Sequence, residues 1–112
     1  MKDKTRKNLI DILQAAEEIQ DFVCGMHFEG YQNTPVTKRA VERDFEIIGE
    51  ALSRIKNTDS ELLEKISEHY RIIGFRNILI HGYDIVDEAI VWQAATNHLP
   101  ILLGEIKEML SA

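Results

Sequence analysis

The residues best able to do chemistry lie together in Arg76-Asn77-Ile78-Leu79-Ile80-His81-Gly82-Tyr83, a polar cluster inside an apolar stretch. His81, with an unperturbed pKa of about 6.5, can take a proton from a 2′-hydroxyl or give one to a leaving 5′-oxygen. Arg76 carries a permanent charge on a planar fork suited to phosphate oxygens, where charge builds in the transition state. Asn77 would hold the histidine tautomer or bind phosphate. Tyr83 offers a hydroxyl for RNA stacking and hydrogen bonding, or as an acceptor for modification. Such a set supports phosphoryl transfer on RNA without a metal. On an ideal helix Asn77 and His81 share a face, Arg76 and Tyr83 share a neighbouring one, and Arg76 and His81 stand roughly 140° apart. Convergence of Arg76 on His81 then needs a helix end near Gly82, a swing of the long arginine, or a second copy facing the first. The competing reading is a buried helix with a few satisfied polar groups. It must explain why three polar residues enter a core-forming run, where they are costly unless paired or solvated.

Other chemistries find no support in the spacing. The histidines, His27, His69, His81 and His98, form no HxxxH or HExxH pair, and the one cysteine, Cys24, cannot build a zinc cluster. Glu-x-x-His pairs, which a di-metal bundle would need, do not occur: Cys24, Ile66, Ile78 and Ala95 stand three before the histidines. No Gly-rich phosphate loop or Gly-x-Ser-x-Gly elbow is present. No metal and no cofactor is therefore expected. Cys24 lies three residues from His27 and reads as a small hydrophobe near a helix end.

The elements that must position the cluster are helical. Leu9, Ile12, Leu13, Ala16, Ile19, Phe22 and Val23 recur at threes and fours over residues 3–23. Cys24 to Pro35 reads as a loop holding one helical turn at most. A second helix is predicted from Thr34 or Thr37 to about Lys56, with Thr34 as N-cap, Pro35 at the first position, and Val41, Ile48, Leu52 and Ile55 buried. Asp59 or Ser60 caps a third, carrying Leu62, Leu63, Ile66 and Tyr70. Residues 71–85 suit a buried strand or a helix; without a partner strand, helix is preferred, with Gly82 as its end signal. A last helix from Val86 turns Ile90, Val91 and Ala94 to the core, and Pro100 kinks or restarts it. The expected fold is all-α, an up-and-down bundle of four to five helices in one domain over residues 1–112. No apolar run can span a bilayer and no signal-peptide core is visible, so no membrane partner is expected. A single cysteine suits a reducing, cytoplasmic setting. The net charge of −6 argues against a protein sitting permanently on nucleic acid, but not against brief contact through one local cluster.

Arg76-x4-His81-x-Tyr83 resembles the Arg-x4-His-x-Tyr signature of HEPN-domain toxins of the HepT-like group. Residues 39–51, ending Ile-Gly-Glu-Ala, resemble that group's second-helix block. Ile72-Ile73-Gly74-Phe75-Arg76-Asn77 resembles the approach to its catalytic arginine, and Ile90-Val91-Trp92 with Leu99-Pro100 resembles its closing helix. The resemblance covers nearly the whole chain in order. It implies a homodimer with both motifs facing a shared cleft and metal-independent RNA endonuclease activity. It also implies a minimal nucleotidyltransferase antitoxin that adenylylates the motif tyrosine, here Tyr83. Arg76 and His81 match the catalytic pair, and Asn77 matches its polar neighbour. Many relatives carry a tryptophan near Tyr70, a difference read as a packing change.

Arg39, Arg43, Glu46, Glu50 and Arg54 form one polar stripe on the second helix, either a solvated face with internal ion pairs or, through Arg43 and Glu50, the lining of the cleft. Gly49 in mid-helix predicts close approach of another helix. His69 and His98 read as surface or packing residues, and Trp92 as a core or dimer contact. The alternative function is a non-catalytic helical module that binds nucleotide or protein through the same cleft, which would need no proton-transfer group. A purely structural bundle would lose only stability on His81→Ala.

Overall fold

In the computed structural model, residues 1–81 and 87–112 are described, His81 by its backbone alone. Every regular element among them is helical. Helix α1 (Asp3–Val23) buries Leu9, Ile12, Ala16 and Ile19, spaced three and four apart, and ends before Gly25, whose φ of 76° suits only glycine without strain. A single turn, α2 (Phe28–Gln32), precedes α3 (Pro35–Thr58), which opens on Pro35 as expected. Thr34 holds the N-cap position, but its hydroxyl donates to the Gly30 carbonyl at 2.8 Å and does not cap α3. The tight turn out of α2 claims that hydroxyl first.

Helix α3 packs against α1 on one side and against α5 (His69–His81) on the other, while α7 (Leu99–Ser111) covers α1. Phe45, Ile48, Leu52 and Ile55 of α3 are fully buried between them, with Leu99, Leu102 and Ile106 of α7 closing the core. Asp59 accepts from the backbone N–H of Leu62 at 3.2 Å and caps α4 (Ser60–Glu64). The third helix expected to run to Tyr70 is thus only five residues long. Burial of Ile66 turns the chain inward. Beyond it the Ser67 N–H and hydroxyl both donate to the Glu105 carboxylate, tying the turn to α7. Tyr70 belongs to the first turn of α5 and is 85% exposed, so it is not the core residue of the third helix that its spacing predicts.

The segment 71–81 is helical, as preferred; Ile72, Phe75 and Leu79 face inward while Ile78 stays half exposed. Gly82, Tyr83 and the predicted helix start at Val86 lie outside the described residues. Helix α6 (Glu88–Gln93), capped by Asp87 onto the Ala89 N–H, buries Val91 but leaves Ile90 54% exposed, contrary to its predicted core position. One π-helical turn (Ala94–His98) joins α6 to α7. Its wider winding lets Pro100 enter a continuing helix without its ring meeting the carbonyl four residues back, which is why the proline restarts rather than breaks it. Trp92 rests on Phe28 and Tyr31, with centroids at 6.2 and 5.3 Å, a core contact as expected.

Among the described residues one carboxylate is buried in this core. Asp44, 5% exposed on α3, has its pKa pushed from 3.8 up to about 7, first by burial and then by the hydrogen bond and charge of Glu18 on α1. The folded chain therefore binds this proton more tightly than the unfolded chain. Its stabilisation is complete below about pH 3.8 and is lost as pH rises through about 7. Asp44→Asn should raise Tm at pH 8 by a few degrees and flatten the change between pH 8 and pH 5.5, as thermal melts at both pH values would register.

Candidate functional site

The site is organised by the contact of α5 with α3. The Phe45 and Phe75 rings meet edge to face, 5.2 Å apart at 72°, and fix the register of the two helices. One turn along α3 from Phe45 stands Gly49, the glycine predicted to mark a close approach. Its neighbour is Arg76: a Cβ built on Gly49 would collide with the Arg76 Cβ and lie 2.7 Å from its Cγ. The aliphatic stem of Arg76 thus fills the space that glycine leaves open. The head turns toward Asn77, with an Arg76 Nη donating to Asn77 Oδ1 at 3.0 Å. Arg76 Nε is buried and has no hydrogen-bond partner among the described residues. A buried donor left open costs about 1–3 kcal/mol, so this guanidinium is set to receive an acceptor.

Arg76 and Asn77 are therefore brought together, on adjacent positions of α5. The backbone of His81 ends the same helix, one turn beyond Asn77, and its side chain lies outside the described residues, as does Tyr83. Arg43 pairs with Glu46 at 3.2 Å and Glu50 with Arg54 at 3.9 Å, so both predicted cleft residues engage partners on their own helix. These exposed pairs are worth at most about 1 kcal/mol each, and either could exchange its partner for a ligand.

Two grooves flank α5, with Tyr70 on the ridge between them. One, about 320 Å³, is floored by Phe45, Phe75, Ile78, Ile90 and Ala94, with Arg71 and His98 at its rim. The other, about 540 Å³, has an apolar floor that includes Leu63 and Ile73 and is edged by the polar side chains of Lys56, Ser60, Glu64, His69 and Asn77. At the rim of the first, Arg71 donates to His98 Nε2 at 3.1 Å, while Glu68 Oε2 lies 3.5 Å from His98 Nδ1 and 3.4 Å from Arg71 Nε. If Nε2 accepts from the arginine, Nδ1 carries the ring proton toward Glu68, which fixes the tautomer. No local pattern announces this cluster, because His98, at the end of the π-turn, is far along the chain from Glu68 and only the fold brings the two together.

An all-helical bundle with a glycine-seated arginine on its fifth helix defines the class, and relatives fix its family. The sequence profile described as ribonuclease HepT-like matches residues 12–109. A protein of Caldanaerobacter subterraneus subsp. tengcongensis, provisionally named an RNase, is 39% identical over 107 residues, covering 94% of this chain and 93% of its own. A provisionally named ribonuclease HepT of Thermococcus cleftensis is 33% identical over 109 residues, covering 97% and 98%. Another protein provisionally named an RNase, from Methanocaldococcus jannaschii, is 31% identical over 99 residues, covering 88% and 90%. No solved structure matches the chain significantly. The chain belongs to the HepT-like ribonuclease family.

Proposed function

We propose that this chain is a metal-independent RNA endonuclease, the toxin of a toxin–antitoxin pair, with Arg76, Asn77 and His81 as its catalytic residues. The observation that carries this reading is the seat of Arg76: packing on Gly49 holds its stem, Asn77 holds one edge of its head, and Nε is left open. A guanidinium held in this way loses little freedom when it takes phosphate oxygens. In the reaction the 2′-oxygen attacks phosphorus, the bond to the 5′-oxygen breaks, and a 2′,3′-cyclic phosphate and a 5′-hydroxyl remain. His81 takes the 2′-hydroxyl proton or supplies one to the leaving oxygen, and Arg76 stabilises the charge gathering on the phosphoryl oxygens.

The protein acts as a single-domain homodimer in the cytoplasm. Two copies of α5 face one cleft, which Arg43 and Glu50 line. Its neutralising partner is a minimal nucleotidyltransferase that adenylylates Tyr83. The family membership supports these assignments, and the exposed, unpaired Cys24 suits a reducing compartment. Among the described residues no helix is long and apolar enough to cross a membrane.

The test is to produce the chain alone and together with its nucleotidyltransferase, then measure intact mass and RNA cleavage for both. The chain alone should cleave. The co-produced chain should gain one or more adenylyl masses mapped to Tyr83 and lose activity. Equal activity and an unmodified Tyr83 in both preparations would reject this route of control.

A further inference from the structure

An acidic chain must hold RNA at a local site, and the groove beside α5, apolar at Leu63 and Ile73 and edged by polar side chains, offers one for bases and backbone alike. It begins at Lys56, near the end of α3, passes Ser60 and Glu64 of α4, and runs along His69 and Tyr70 to Asn77. Asn77 is the residue bonded to the Arg76 guanidinium, so one end of the groove lies next to the proposed catalytic residues. From His69 to Asn77 is about 12 Å of helix by the 1.5 Å rise per residue, room for a short stretch of extended strand. Tyr70 adds what a structural surface would not need, an aromatic ring 85% exposed on the ridge of the groove.

We infer that this groove binds the single-stranded RNA flanking the scissile phosphate, with a base stacked on Tyr70 and a backbone phosphate on Lys56. The inference rests on the proposed ribonuclease activity and adds the substrate form and two residues that grip it. Base–aromatic stacking needs an exposed, anchored ring and tolerates any base, which suits Tyr70 at the start of a packed helix. The Glu64 carboxylate repels phosphate, so the groove is not a continuous backbone track; the phosphate belongs at the Lys56 end. Glu64 is left to accept from the amino edge of a base. A paired RNA stem would hide the faces that Tyr70 needs, which selects loops and unpaired tails as substrate.

The experiment uses the full chain and two readouts. Cleavage kinetics on an unstructured oligoribonucleotide are compared for the wild type, Tyr70→Ala, Tyr70→Trp and Lys56→Ala. Equilibrium binding of the same RNA is measured by fluorescence anisotropy in the His81→Ala background. Tyr70→Ala should weaken binding about tenfold, with the larger share of the kinetic loss in KM rather than kcat, and Tyr70→Trp should restore it. Lys56→Ala should flatten the slope of log affinity against log salt by about 0.7. Wild-type cleavage with KM and affinity unchanged in Tyr70→Ala and Lys56→Ala would overturn the groove while leaving the ribonuclease reading intact. If Tyr70→Ala instead alters the oligomeric state in light scattering, this face is a contact between copies and the inference fails. No cleavage and no RNA binding by the wild type would remove both readings together.

Discussion

Arg76→Ala should lower kcat for RNA cleavage by about 10²–10³-fold, the loss expected when one preorganised donor to a developing oxyanion is removed. The expectation follows from where the side chain sits. Its stem occupies the space above Gly49 and its head is held by Asn77, so the charge needs little reorganisation to meet the phosphoryl oxygens. Arg76→Lys is the more telling variant. Lysine keeps the charge and most of the stem packed on Gly49, but it loses the planar fork and the donor now standing open at Nε. Lysine should therefore preserve the melting temperature and recover less than a tenth of the lost rate. Single-turnover cleavage read alongside a thermal melt separates these effects. Full activity in the lysine variant would mean that charge alone suffices and that the seat is irrelevant.

Gly49→Ala should be nearly as damaging without touching any reacting group. The new methyl would fall on the Arg76 stem close to its backbone, 2.7 Å from Cγ, where no flexible side-chain end can give way. No rotamer change moves the Arg76 Cβ, so α5 must lift from α3, and overpacking of this kind costs about 1–3 kcal/mol. Alanine is the better helix former by about 1 kcal/mol, so propensity alone would make the variant more stable. The sign of the change in Tm thus decides whether the contact or the propensity governs. We expect a fall in Tm, with kcat reduced at least tenfold because Arg76 is displaced. A rise in Tm with unchanged kcat would show that the two helices do not need this contact.

The sequence made the long elements legible because their burial is periodic. Leu9, Ile12, Ala16 and Ile19 mark one stripe, and α1 spans the residues they predict. Gly49 was legible for a different reason: a mid-helix glycine is a cost that only a close neighbour explains, and the neighbour is Arg76. Tyr70 and Ile90 were misplaced because an aromatic or β-branched residue at helical spacing reads as core whichever way it faces. The end of α4 at Glu64 and the phase of α6 decide otherwise. The Glu68–His98–Arg71 cluster and the groove from Lys56 to Asn77 are tertiary constructions. They depend on a π-turn and on the angle at which α4 meets α5, neither of which leaves a local pattern. The pairing of Arg76 with Asn77 was within reach of spacing, since adjacent residues need no fold to bring them near.

The proposed cleavage of RNA by Arg76 and His81 together needs no metal. Its most direct test is to incubate the unadenylylated chain with end-labelled RNA in EDTA and identify the new termini, with His81→Ala alongside. The wild type should leave 2′,3′-cyclic phosphate and 5′-hydroxyl ends, and the variant none. No cleavage by the wild type, or equal cleavage by His81→Ala, would contradict it.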